Sequence, residues 1–163
     1  MMEILASLTQ PWADLYGGST LLQGLVTFLH IGGVVVAGGF ALASDRSTFR
    51  VSGRPAAIRR EHISELGAVH TPVLWALGIV LVSGVALLLA DVETFLPSWF
   101  FWLKMGLVAV LLVNGLTVQK AEKGLVKNPE DNAAWKRLKW AAGRSVVLWG
   151  VVLLLGVLLP LEA

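Results

Sequence analysis

Four apolar runs decide what this chain can become. Each approaches the roughly 20 residues that a helix needs to cross a bilayer. They cover about residues 21–43, 69–90, 98–118 and 139–159 of the 163. The first holds His30 as its only ionisable residue, the second has His70 at its edge, and the third contains Lys104. In the fourth, the apolar core opens at Ser145, directly after Arg144. No run alternates with period two, which argues against a barrel. Only 15% of the residues are charged and 56% are hydrophobic, whereas a soluble domain carries about 25% charge. A soluble fold of this length has too little interior for so much apolar surface. The sequence therefore predicts an all-α integral membrane four-helix bundle, residues 1–163 forming one domain.

Basic residues orient it. The stretch between the first two runs carries Arg46, Arg50, Arg54, Arg59 and Arg60. The stretch leading into the fourth carries Lys120, Lys123, Lys127, Lys136, Arg137 and Lys139, with Arg144 beyond. Twelve of the 13 Lys and Arg residues thus fall on one side, and Lys104 is the exception. The positive-inside rule turns that side to the cytoplasm. Both termini then lie on the non-cytoplasmic side, and the helices run up-down-up-down with short connections. The net charge of +2 hides this asymmetry. Such a belt meets anionic lipid headgroups and is no signal for nucleic acid. The first residues lack a basic n-region, so the N-terminus is expected to be retained, with residues 1–18 as an outer-surface segment. Trp99 and Trp102 mark the outer boundary, Trp135 and Trp140 the inner one. Asn128-Pro129-Glu130-Asp131 reads as a helix start, with Asn as cap and Pro at the first position. A helix from there to Leu159 would be ~46 Å long, so its first turns stand outside the ~30 Å hydrocarbon core. Ala56–Leu66 reads as an interfacial helix feeding the second span.

Small residues mark packing faces. Gly33, Ala37 and Ala41 recur every four residues, with Ser44 three further on, a spacing that lets helices approach closely in lipid. His30 precedes Gly33 by three and shares that face. Gly143, Gly150 and Gly156 suggest a second close contact on the last helix. His30 lies ~14 Å into the first helix, where a neutral imidazole suits haem iron, a metal, proton relay or an interhelical hydrogen bond. Gly32 and Gly33 would leave space for a porphyrin. Lys104, ~9 Å past Ser98, suits a haem propionate, or snorkels toward Asp91 or Glu93. Asp45, Arg46, His70, Arg144 and Ser145, approached by Asn114, form a polar set at the cytoplasmic edge. That set suits a headgroup, a propionate, a proton or a belt of salt bridges. His30 and His70 are ~22 Å apart along the axis, too far to share one haem. His62, in the interfacial segment, is expected to be solvated. With no cysteine in the chain, disulfides and cysteine-ligated clusters are excluded. The chain also lacks a phosphate-binding glycine loop, a His-Glu-x-x-His and the Glu-x-x-His of a di-iron bundle.

The run Phe28-Leu29-His30-Ile31-Gly32-Gly33 resembles the small bacterial four-helix proteins related to the copper-resistance D and cytochrome b561-like membrane families. So do Phe101-Trp102-Leu103-Lys104-Met105 and Leu111-Leu112-Val113-Asn114-Gly115. The resemblance implies a bacterial inner-membrane protein with a redox or metal-handling role. His30 stands at the family's first-helix histidine, as haem b or metal ligand. The family pairs several membrane histidines on its haems, and this chain has only His30 in the core. Three functions remain open. One is a haem- or metal-binding electron-transfer component using His30, with Lys104, His70 or Arg144 as cofactor contacts. Another is a non-catalytic accessory subunit, held to another membrane protein or a second copy through a small-residue face. The third is a small transporter.

Overall fold

The structure is a computed structural model and describes residues 2–161; Met1, Glu162 and Ala163, and with them the extreme termini, lie outside the described residues. It is all-helical. A short α1 (Met2–Gly17) precedes the long α2 (Thr20–Val51) and α3 (Ala56–Ala90). The single turn α4 (Val92–Phe95) leads to α5 (Trp99–Lys127) and α6 (Asn132–Leu158). A 3-10 turn containing Pro160, Leu159–Leu161, ends the described chain. The four long helices are each long and apolar enough to span a bilayer. Their outward faces carry Phe28, Trp75, Val82, Val147 and Val157, all well exposed. Water would not tolerate so continuous an apolar surface, whereas lipid does. The chain is an integral membrane protein.

Caps set the helix starts. Ser19 Oγ accepts from Leu22 N (3.3 Å) and Ser98 Oγ from Phe101 N (3.4 Å). Before α6 the cap is Asp131 and not Asn128. Asp131 Oδ1 accepts from both Ala133 N (2.8 Å) and Ala134 N (3.1 Å), satisfying two amides that the first turn leaves free. Asn128 instead closes a turn by accepting from Glu130 N (3.2 Å), and the Pro129 carbonyl accepts from Trp135 Nε1 (2.9 Å). The expected interfacial helix is the first three turns of α3, which continues past Pro72 without a break. At 35 residues, α3 is about 52 Å long, well beyond a hydrocarbon core. The outer-surface segment takes the form of α1, anchored by Trp12 Nε1 donating to the Ala86 carbonyl near the end of α3 (2.8 Å).

Two apolar layers hold the bundle. Ala37, Ala76, Leu111 and Trp149, one from each long helix, form one layer. Ile63, Leu66, Ala121, Leu125, Trp135 and Leu138 form the other, beside the basic turns. The small-residue face of α2 is used within the chain. A methyl built on Gly33 would lie 2.8 Å from Val80 Cγ2 and 3.1 Å from the Ala76 carbonyl oxygen. On the next face, Gly38 lets the Trp149 ring lie flat against α2 (3.2 Å to Cε3). Of the α6 glycines, Gly143 faces Phe49 and Gly156 faces Lys104, while nothing lies within 4 Å of a Cβ at Gly150. Close packing joins α2 to α3 and α5 to α6; α3 and α5 meet over a much shorter stretch.

Candidate functional site

His30 is a strut between α2 and α3. Its Nδ1 lies 3.1 Å from Ser83 Oγ and 3.2 Å from the Val80 carbonyl oxygen. Ser83 directs its own hydroxyl proton to the Ile79 carbonyl (2.6 Å). Both neighbours of Nδ1 are therefore acceptors, and the fitting tautomer carries its proton on Nδ1. Burying this bond satisfies groups that lipid could not.

The Gly33 side of His30 leaves no room for a porphyrin. Gly33, read as leaving space for one, is filled by α3. The open side of Gly32 points elsewhere, because two residues along a helix turn by about 200°. A Cβ on Gly84 would lie 3.1 Å from His30 Cε1 and 3.5 Å from Nδ1, so α3 meets the same edge of the ring that bonds Ser83. His70 precedes Val80 by ten residues on α3, about 15 Å along the axis, so the two histidines are at different levels. Among the described residues, no three His, Asp or Glu side chains converge closely enough to hold a metal ion.

Lys104 reaches neither expected carboxylate. Its Nζ sits against Gly156 of α6, 3.5 Å from where a Cβ would be, so the missing side chain makes room for the amine. Asp91 instead accepts from Thr94 N at the start of α4 (3.1 Å). His62 is buried and not solvated. Thr48 Oγ1 lies 3.0 Å from its Nε2, its ring stacks on Trp135, and the Arg59 guanidinium lies 5.7 Å from the centre of that indole. The long first turns of α3 lay His62 across α6, which shields it.

The expected cytoplasmic polar set is only partly assembled. Asp45, His70, Asn114 and Ser145 line one cavity of about 280 Å³ between α3 and α5. Arg46 and Arg144 do not line it; both are exposed. Each directly follows or precedes a buried member of the set, and adjacent helical residues point about 100° apart. In their place the structure brings in Glu122, which sequence reasoning missed. His70 Nε2 bonds Glu122 Oε2, joining α3 to α5 across the cavity. Glu122 follows Leu111, Asn114 and Val118 at spacings of eleven, eight and four, so it lies on their face of α5. That spacing was the available signal, masked by the flanking Lys120 and Lys123.

The cavity has an apolar wall and a polar end. Leu77, Val108, Leu111 and Trp149 form the wall. Three of the lining residues carry an oxygen buried without a hydrogen-bond partner: Glu122 Oε1, Asp45 Oδ2 and Asn114 Oδ1. Asn114 directs its amide to the Ala141 carbonyl (2.9 Å), which leaves the oxygen as an acceptor. All three free atoms are acceptors, and no lysine or arginine lines the cavity. Unpartnered buried acceptors are destabilising and mark places where a donor is expected. Comparison with family models, curated proteins and solved structures finds no match to this chain.

Proposed function

We propose that this protein is a small-molecule carrier of the bacterial inner membrane that works through the cavity between α3 and α5. The observation that carries the reading is the cavity itself, whose lining holds two carboxylates and an imidazole beside an apolar wall. Ionisable groups buried at the edge of a membrane bundle are costly and are candidates for substrate or proton sites. The His70–Glu122 bond joins two helices that are otherwise loosely held together. A proton gained or lost by that bond changes what holds α3 to α5, which is the coupling a proton-linked carrier needs. In this reading the basic turns face the cytoplasm, both termini face out and the helices run up-down-up-down. The bond from Trp12 to Ala86 supports it, since it ties α1 to the end of α3 far from the arginine-rich turn.

Electron transfer through haem b on His30 has less support, because α3 fills the space at Gly33 and His70 stands at another level. An accessory-subunit role resting on the small-residue face loses its support, because α3 occupies that face. The test is proton flux in proteoliposomes loaded with a pH-reporting dye, with amphipathic and polar solutes added outside. Solute-dependent proton movement, abolished in Glu122→Gln, is expected. Movement equal to that of protein-free liposomes for every solute would overturn the carrier reading. A fixed partner copurifying from the membrane would then favour the accessory subunit.

A further inference from the structure

We infer that the cavity between α3 and α5 is loaded sideways from the bilayer, by a single-chain amphiphile whose head is not anionic. The inference takes the site from the carrier reading but not the transport, since a chain can enter where no proton moves. Exposure divides the lining in two. Leu74 of α3 and Leu112, Gly115 and Leu116 of α5 line the cavity and are also exposed on the outside of the bundle. The three leucines are 58%, 50% and 56% exposed. Every polar side chain in the lining, from Ser44 to Ser145, is buried or half-buried. The mouth is therefore apolar and the polar groups lie behind it. It is open because α3 and α5 meet over only a short stretch, whereas α2 packs closely on α3 and α5 on α6.

Depth puts the mouth in lipid. His70 lies twenty residues before Ala90, the end of α3, about 30 Å along the axis, which is the thickness of a hydrocarbon core. Leu74, four residues further in, thus stands about 6 Å inside the hydrocarbon. Glu122 shares the level of His70 through their bond. Leu116 and Leu112 precede it by six and ten residues on α5, about 9 and 15 Å toward the membrane centre. Acyl chains, and not water, meet these side chains. The interior narrows the ligand. Leu77, Leu111 and Trp149 continue the apolar surface inward, which suits a hydrocarbon chain. The volume of about 280 Å³ equals the liquid volume of about nine waters, enough for a stretch of one chain and not for the paired chains of a phospholipid. Asp45 and Glu122 line the cavity and no lysine or arginine does, so a phosphate or carboxylate head finds no counter-charge.

The probe is hexadecanol bearing a diazirine midway along its chain, mixed into the lipid of nanodiscs that hold the full protein. After irradiation, adducts are mapped by mass spectrometry. Adducts on Leu77, Leu111 and Trp149 should saturate as the probe's share of the lipid rises, and fall when unlabelled hexadecanol is added. Adducts on the outward-facing Phe28, Val147 and Val157 should rise in proportion and resist competition. Hexadecyl phosphate should compete poorly. Gly115→Leu keeps every polar group and narrows the mouth; a Cβ there meets nothing within 4 Å, so the fold tolerates it. It should lose the wall adducts and keep the outward ones. Wall adducts that do not saturate, that persist in Gly115→Leu, or that the phosphate competes equally well would overturn the inference. So would wall labelling by an impermeant, water-soluble diazirine, which would place the entrance on the aqueous side. Absent wall adducts would overturn it too, and a disulfide between two Leu74→Cys chains would then give the mouth to a second copy. Saturable wall adducts without proton flux would remove the carrier and leave lateral entry; flux without wall adducts would do the reverse.

Discussion

Replacing Gly33 by alanine tests the packing on which the bundle rests. The added carbon would lie 2.8 Å from Val80 Cγ2, 3.1 Å from the Ala76 carbonyl oxygen and 3.4 Å from Val80 N. Carbon pairs rest at about 3.5–4.0 Å, so the Val80 methyl must retreat by about 0.7 Å or more. Valine in a helix has essentially one χ1 rotamer and cannot swing away. The other two atoms belong to the α3 backbone, so relief requires α2 and α3 to separate. Overpacking of this kind costs about 1–3 kcal/mol. The separation also stretches the bond from His30 to Ser83, three residues away on the same face. Gly32→Ala is the matched control, because a Cβ there meets nothing within 4 Å. Reversible unfolding in mixed micelles, followed by circular dichroism, compares the two. Gly33→Ala should be destabilised by about 2 kcal/mol relative to Gly32→Ala. Equal stability of the two variants would refute the close approach of α2 to α3.

Other consequences follow from single contacts. His30→Ala removes one interhelical hydrogen bond and should lower stability by about 0.6 kcal/mol, and by no more than about 1.7. Visible spectra of that variant and of the unmutated protein, both expressed with haem supplied, should be alike and without a Soret band; a band lost in His30→Ala would restore the haem reading. Asp131→Ala deprives two α6 amides of their acceptor and should lower stability by about 1 kcal/mol in the same unfolding assay. The chain has no cysteine, so single substitutions report topology cleanly. In intact cells an impermeant maleimide should label Glu93→Cys and spare Arg54→Cys, and the opposite pattern would invert the orientation.

The spans, the basic belt and the close-packing face of α2 are legible in the sequence because each is a local property. A run of apolar residues or a four-residue spacing of small ones needs no knowledge of what lies opposite. Partners escape that reasoning. Glu122 sits between two lysines in sequence and reads as part of a solvated charge run. Only the fold brings it to His70, 52 residues away. Arg144 was expected beside Ser145, yet one residue of helical rotation turns it outward while Ser145 faces the cavity. His62 reads as solvated for lack of any local sign that Trp135 would cover it.

Sequence alone determined that this protein lives in a membrane and how many times its helices can cross. The free energy of placing a helix in lipid is nearly a sum over its own residues. Tertiary structure decided which polar groups are satisfied and which are not. It closed the space beside His30 and left three acceptors without partners between α3 and α5. Hydrogen bonds inside a bilayer depend on distances between helices, and those distances arise only when the four are packed together.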